Sequence, residues 1–261
     1  MKRYLRLLRM FISQTTSASL MYRGSFWSSM TADLAWGVFY LLSILFITNK
    51  ISSINGWSRY ELLFLSSSAN ITVGLISLIA KNFYTFSDVI NQGRLDGILL
   101  NPVDSQFMLS FKYINIAKLP RIIFSFILNI YLLHMLHVQV TLINLIGYIV
   151  LLLIGFIFIY CMWFIASTLL IWFTRLSNLS ELLFQFTEIT RYPREVYTEF
   201  SQYLFFFLLP LTLVVVTPSK VLLQKTLGGE VWFLLGCTGL LFVASRMFWK
   251  FALRFYTSAS S

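Results

Sequence analysis

The stretch Leu142–Phe173, LINLIGYIVLLLIGFIFIYCMWFIASTLLIWF, runs without one charged residue. Bilayer hydrocarbon is about 30 Å thick and takes about 20 apolar helical residues to cross, so this block is longer than one crossing needs. That length implies tilt or an interfacial end. Its apolar residues are continuous rather than alternating, which excludes a barrel strand. Lipid offers the backbone no hydrogen-bond partners, so each N–H and C=O must be satisfied within the segment, and the block is a helix. Blocks of the same kind lie at 26–48, 61–83, 119–136 and 231–251. Of the 261 residues, 58% are hydrophobic and only 11% charged, too apolar for a fold that must cover its core with polar surface. The expected fold class is an all-α integral membrane protein of about six transmembrane helices, in a single domain spanning 1–261.

The 20 basic residues outnumber the 10 acidic ones, for a formal charge of +10. In a soluble protein that excess would point to nucleic acid. Here the basic residues flank the spans, so anionic lipid headgroups are the expected partner and nucleic acid is not. Within 1–25, Lys2, Arg3, Arg6 and Arg9 fall on one side of a helix and Tyr4, Leu5, Leu7, Leu8, Phe11 and Ile12 on the other, with only Met10 out of place. That pattern predicts an interfacial helix whose four cations anchor it to the membrane surface. With Arg23 this end holds basic residues and no acidic one, and Arg246, Lys250 and Arg254 follow the last span. Both termini are therefore expected in the cytoplasm, which requires an even number of spans. No cleaved signal peptide is expected at the basic amino-terminal end.

The region 174–227 admits two readings. In one, 203–221 is the fifth span, interrupted by Pro210 and Pro218, and the charged stretch 175–199 stays in the cytoplasm. In the other, 176–192 crosses despite Glu181, Glu188 and Arg191, and 193–227 forms a re-entrant pair of short helices on the outer side. Irregular backbone at that depth survives only inside protein or around water. Composition does not choose between them.

Chemistry is marked first by what is missing. The sequence has no glycine-rich phosphate loop ending in Gly-Lys-Ser/Thr, no His-Glu-x-x-His and no Gly-x-Ser-x-Gly, so no catalytic residue is expected. His134 and His137 at i and i+3 lack the carboxylate or thiolate that would complete a metal site, and Cys161 and Cys237 read as packing residues inside apolar blocks. No metal is expected. Charges inside spans are the candidate pathway or gate residues, since leaving one in lipid costs at least about 2.5 kcal/mol. These are Asp33, Glu181, Glu188 and Arg191. The structural alternative for Glu188 and Arg191 is an ion pair at i and i+3; for Asp33 it is pairing with a cation such as Arg23 or reaching toward water. Lys118 and Arg121 are expected to snorkel to the inner surface.

The connection 84–118 contains the most informative string, Ser87-Asp88-Val89-Ile90-Asn91-Gln92-Gly93-Arg94-Leu95-Asp96-Gly97-Ile98-Leu99-Leu100-Asn101-Pro102-Val103. It reads as a short helix capped by Ser87 and stopped at Gly93, then a second short apolar-faced turn ended by Pro102. A compact helical loop of mixed charge suits docking into another protein; the alternative is a solvated connector, and the residues alone do not choose between them.

The string around Gln92-Gly93-Arg94-Leu95-Asp96, with Leu99-Leu100 and Pro102-Val103, resembles the cytoplasmic-loop signature of ABC-2 type permeases, in their six-helix branch. Tyr22-Arg23 before the first span, Gly56-Trp57-Ser58 with Glu61 before the second, and Arg191-Tyr192-Pro193 agree with it, so the resemblance covers essentially the whole chain. It implies an exporter permease in the bacterial inner membrane, paired with a second permease of the same or a related kind and with two ATP-binding subunits. ATP and Mg would belong to those partners, with no cofactor in this chain. The resemblance further implies that Asp88, Gln92, Gly93, Arg94, Leu95 and Asp96, with Pro102 closing the element, form a coupling helix seated in an ATP-binding subunit. It favours the second reading of 174–227, with Arg191, Tyr192 and Pro193 near an outer mouth. The 26 phenylalanines, clustered as at 205–207, favour an amphipathic or lipid-like substrate over a small ion, though packing against lipid explains most of them just as well. The alternatives are an ion-coupled secondary transporter, which normally shows internal repeats with broken helices, and a membrane-embedded lipid-modifying enzyme, which needs an acid, a base and a nucleophile. The sequence shows neither signature.

Overall fold

A computed structural model of the chain describes residues 2–49, 53–54, 56–173, 178–191 and 202–257. Its elements are α1 (Lys2–Met21), α2 (Arg23–Thr48), a small antiparallel hairpin of β1 (Ser53–Ile54) and β2 (Trp57–Ser58), α3 (Arg59–Tyr84), α4 (Phe86–Asn91), α5 (Arg94–Leu99) and α6 (Ser105–Phe111). They continue with α7 (Leu119–Met135), α8 (Leu142–Thr168), α9 (Leu179–Glu188), α10 (Gln202–Leu222) and α11 (Glu230–Ala252). Local chemistry starts several of them. Pro120 sits in the first turn of α7, where a missing N–H costs nothing. Asp104 caps α6 by accepting from the Phe107 amide at 3.0 Å, and Thr141 caps α8.

Among the described residues, five helical stretches are long and apolar enough to cross a membrane: 23–48, 59–91, 116–135, 142–171 and 230–252. The chain is thus a helical, multi-pass membrane protein. Its core is α3, whose residues from Leu62 to Gly74 are all buried. Around it, α7 and α8 pack closely where small residues admit them. A Cβ on Gly74 would stand 2.6 Å from Ile122 of α7, and one on Gly155 of α8 would stand 2.6 Å from the Val214 side chain of α10 and 2.9 Å from its carbonyl oxygen. Buried polar side chains join the same helices: Ser68 and Tyr148 lie 2.8 Å apart, and the Asn129 amide donates to Tyr148 at 2.9 Å. By contrast, α2 buries a single stripe, Gly37, Leu41, Ile44 and Thr48, at helical spacing. Its other faces present Trp27, Trp36, Phe39 and Phe46 outward.

Two ends of the bundle are defined by their contacts. At the first, α4 to α6 meet both terminal segments: Phe11 of α1 packs near Phe107 of α6, and Arg246 of α11 pairs with Asp104. At the second, the hairpin and the ends of α10 and α11 meet, through Lys225 with Glu61 at 2.9 Å and Lys220 with Glu230 at 2.8 Å.

Between α8 and α11 the passage is shared by two helices. Ser180 at the start of α9 donates to the Phe83 carbonyl, at the first end. The ten residues of α9 and a 3-10 turn over Ile189–Arg191 rise about 20 Å at 1.5 Å per residue, short of a full crossing. Thus the 176–192 stretch is, over its described residues 178–191, a partial helix. The proposed pair of re-entrant helices in 193–227 is, over its described part, one helix, α10. Pro210 and Pro218 lie inside it, and the chain does not break because residues 211–219 are buried against neighbours, where freed backbone groups can be re-satisfied. It runs antiparallel to α8, with Val214 facing Gly155 and Val221 near Gly147.

Candidate functional site

Three of the four charges that the sequence places inside spans, Asp33, Glu188 and Arg191, converge. Arg191, at the end of the turn after α9, donates its Nη1 to Asn70 Oδ1 at 2.6 Å, and Arg121 of α7 donates its Nη2 to the same oxygen at 2.8 Å. Asn70 in turn donates to the Gly37 carbonyl at 3.2 Å. Glu188 pairs with Arg191 through both oxygens, Oε1 accepting from Nη2 at 3.0 Å and Oε2 from Nε, so the i, i+3 ion pair is present. The guanidinium of Arg191 also lies 3.8 Å over the Tyr40 ring. Asp33 joins from α2, 3.1 Å from Lys118 and 3.5 Å from Arg121 Nη1. Its partners are these two cations rather than Arg23.

This cluster is deep. Asn70 is 0% exposed, and Arg121 and Arg191 are each 2% exposed. Arg121 therefore does not snorkel to the surface. Gly37 is the reason it fits: a Cβ there would come within 3.2 Å of Arg121 Nε. Three cations, Lys118, Arg121 and Arg191, meet two carboxylates, Asp33 and Glu188. Arg191 sits level with Asn70, partway along α3, inside the bundle. Glu181 stands apart on the exposed side of α9, accepting from Gln185 at 3.1 Å. Tyr192 and Pro193 lie outside the described residues.

At the first end, α4 and α5 form an elbow. Phe86, Ile90, Leu95 and Ile98 are its buried side, and Phe86 packs edge-on against Phe164 of α8 and Trp249 of α11. Gly93 turns the corner with φ +67°, a left-handed conformation that favours glycine, and its N–H donates to the Ile90 carbonyl at 3.1 Å. Ser87 does not cap α4. The helix follows α3 with only Thr85 between them, so it has no free start to cap, and Ser87 accepts from Asn91 instead. Asp88, Gln92, Arg94 and Pro102 are exposed, whereas Leu95 is buried and Asp96 half-buried. Asp96 lies beside Tyr256 of the carboxyl-terminal segment, where burial and that carboxylate hold the phenol above its ordinary range. The elbow's most prominent feature is Leu100, 86% exposed.

The elbow's base is fastened to α3. The Asn82 amide donates to the Tyr113 carbonyl at 2.8 Å and its Oδ1 accepts from the Tyr113 N–H at 2.9 Å. On α1, Lys2, Arg3, Arg6 and Arg9 are exposed, while Phe11 is buried and Thr15 donates to the Ile114 carbonyl at 3.0 Å. The amphipathic helix therefore docks on the loop that carries the elbow. His134 and His137 are exposed at the far end of α7, and no group able to hold a metal occurs among the described residues.

Sequence reasoning missed Asn70, Arg121 and Lys225 as working residues. Asn70 carried a signal, an amide within an otherwise apolar or hydroxyl-bearing block. Lys225 carried none: its partners are the hairpin's Gly56 carbonyl and Trp57 ring, with Glu61.

Apolar helices facing outward and charges turned inward are the marks of a multi-pass helical membrane protein. The chain belongs to the ABC-2 family transporter proteins, whose sequence pattern matches residues 34–260. It is therefore a permease subunit of an ABC transporter, the membrane part and not the ATPase. Comparison with curated proteins finds no match.

Proposed function

We propose that this permease forms an export path with a second permease, its own copy or a related one, and takes its power from two ATP-binding subunits docked on the α4–α5 elbow. ATP and Mg belong to those partners. The observation that carries the reading is the elbow's division of labour. Leu100 leaves an apolar side chain uncovered on an element where Asp88, Gln92 and Arg94 are exposed as well, while Phe86, Ile90, Leu95 and Ile98 are buried and Phe86 ties the element to α8 and α11. A push on the exposed side would reach the spans through packed side chains, and it does so usefully only if the partner binds two arrangements of the bundle with different affinity.

In this reading the first end of the bundle faces the cytoplasm and holds both termini, α1 lies along the inner leaflet of the bacterial inner membrane, and the polar cluster around Asn70 is the gate. Glu188, Arg191 and Asp33 line it, and the exported molecule is amphipathic or lipid-like. Affinity purification of the intact chain from native membranes tests the assembly. Recovery of an ATP-binding subunit that is lost on Leu100→Asp is the expected result. Transport by the purified chain alone, driven by an ion gradient, would overturn it.

A further inference from the structure

Below the Asn70 cluster, toward the α4–α6 end, a cavity of about 480 Å³ opens between α2, α3, the start of α7 and α9. That volume suits a small-molecule headgroup. Three cations line it, Lys81, Lys118 and Arg121, against one carboxylate, Asp33, and its apolar walls include Trp36 and Phe184. Arg121 is committed to Asn70 and Asp33, but the two lysines keep donors to spare. Lys81 makes no ion pair among the described residues, its ammonium lying 5.0 Å over the Tyr113 ring. Lys118 gives one hydrogen bond to Asp33, and an ammonium has three to give. Trp36 is 54% exposed on the outward face of α2 and Phe39 on the same helix is 62% exposed, so the apolar wall continues onto the outer face of the bundle. Lys81 in the last turn of α3 and Lys118 just before α7 stand where those two helices end, on the α4–α6 side of the bundle, and basic residues at span ends favour the interface.

We propose that this cavity binds the anionic headgroup, a phosphate ester or carboxylate, of an amphiphile whose apolar chain lies against Trp36 on α2. Lys81 and Lys118 donate to the headgroup, Arg121 fixes the floor through Asn70, and Asp33 is the competing anion that keeps the hold weak enough for release. The proposal rests on the transport reading above, because it names the substrate class of that path and its waiting site. A neutral or zwitterionic lipid would leave the excess positive charge of the cavity uncompensated, which is the ground for selectivity.

Trp36 serves as the reporter. The full chain, without nucleotide or partner subunits, is reconstituted in phosphatidylcholine nanodiscs containing brominated phosphatidylglycerol or brominated phosphatidylcholine, and the signal of the Trp36→Phe variant is subtracted to isolate this residue among the 7 tryptophans. The expected result is stronger quenching by the brominated anionic lipid. Lys81→Gln should shift its dose response about tenfold to weaker binding, Lys81→Arg should restore it, and Asp33→Asn should move it the other way. Native mass spectrometry of the delipidated chain, titrated with the two unlabelled lipids, gives the same preference without relying on fluorescence.

Equal quenching by the two lipids, or a preference unmoved by Lys81→Gln, would overturn the site. Saturable binding of inorganic phosphate to the delipidated chain, with no preference between the two lipids, would also overturn it, since a free anion would then be the ligand. Because no ATP-binding partner takes part, a failed binding test beside intact ATP-driven transport removes only this site. Positive binding in a chain that recruits no such partner would instead remove the transport reading.

Discussion

Replacing Asn70 with leucine, of similar volume, removes the acceptor shared by two buried guanidinium groups. Arg121 and Arg191 reach the Asn70 oxygen at 2.8 and 2.6 Å, and the asparagine amide holds the Gly37 carbonyl at 3.2 Å. Hydrogen bonds to charged groups are worth about 1.5–3 kcal/mol each in proteins generally, while interhelical bonds inside membranes measure about 0.6–1.7 kcal/mol. Glu188 still pairs with Arg191 and Asp33 with Arg121, so neither cation is left wholly unpaired, and the lower scale applies. The two charged bonds and the neutral one together predict a loss of about 2–5 kcal/mol for Asn70→Leu. Asn70→Asp should keep most of that stability, because a carboxylate between two guanidiniums offsets the lost bond to Gly37. Reversible unfolding in mixed micelles, or steric trapping in bilayers, measures both variants. Equal stability of Asn70→Leu and the parent chain would refute the claim that this amide joins α2, α3, α7 and the turn after α9.

Gly93→Pro should leave the protein in the membrane but uncouple the ATPase of bound partners from transport. Proline cannot adopt φ +67° and removes the N–H that reaches Ile90; normal export with partners present would count against it. Gly155→Ala should destabilise the bundle by about 1–3 kcal/mol, since the new methyl meets the Val214 backbone as well as its side chain, and unchanged thermal unfolding in detergent would show that α10 can shift freely. Lys225→Met should loosen the hairpin. It removes the ion pair with Glu61 and the contact with Trp57, worth about 1 kcal/mol at this partly exposed site, and faster amide exchange at Gly56–Ser58 is the check.

The spans were legible because apolar length is a one-dimensional property: α2, α3, α7, α8 and α11 begin and end near the changes in composition. The Glu188–Arg191 pair was legible as well, because its partners lie one turn apart on the same segment. Arg121 was not. Near the start of a span it has the pattern of a snorkelling residue, and only the packing of α7 against α3, opposite Gly37 of α2, turns it toward Asn70 and Asp33. The same holds for Asp33, whose partners stand 85 or more residues away in sequence. Two prolines argued for broken helices where α10 is continuous, since burial against α8 and not local propensity decides that stretch. Among the residues expected to couple, the pattern gave the turn at Gly93, but it gave no sign that Leu95 faces inward while Leu100 faces out.

Site-specific photocrosslinking from position 100 in native membranes, in the intact assembly, tests the central claim most directly. The account predicts an adduct with a nucleotide-hydrolysing subunit, formed from the same side of the bilayer as both termini and weakened by Asp88→Arg. Adducts with lipid alone, or labelling of position 100 by a membrane-impermeant reagent applied to the outside of cells, would contradict it.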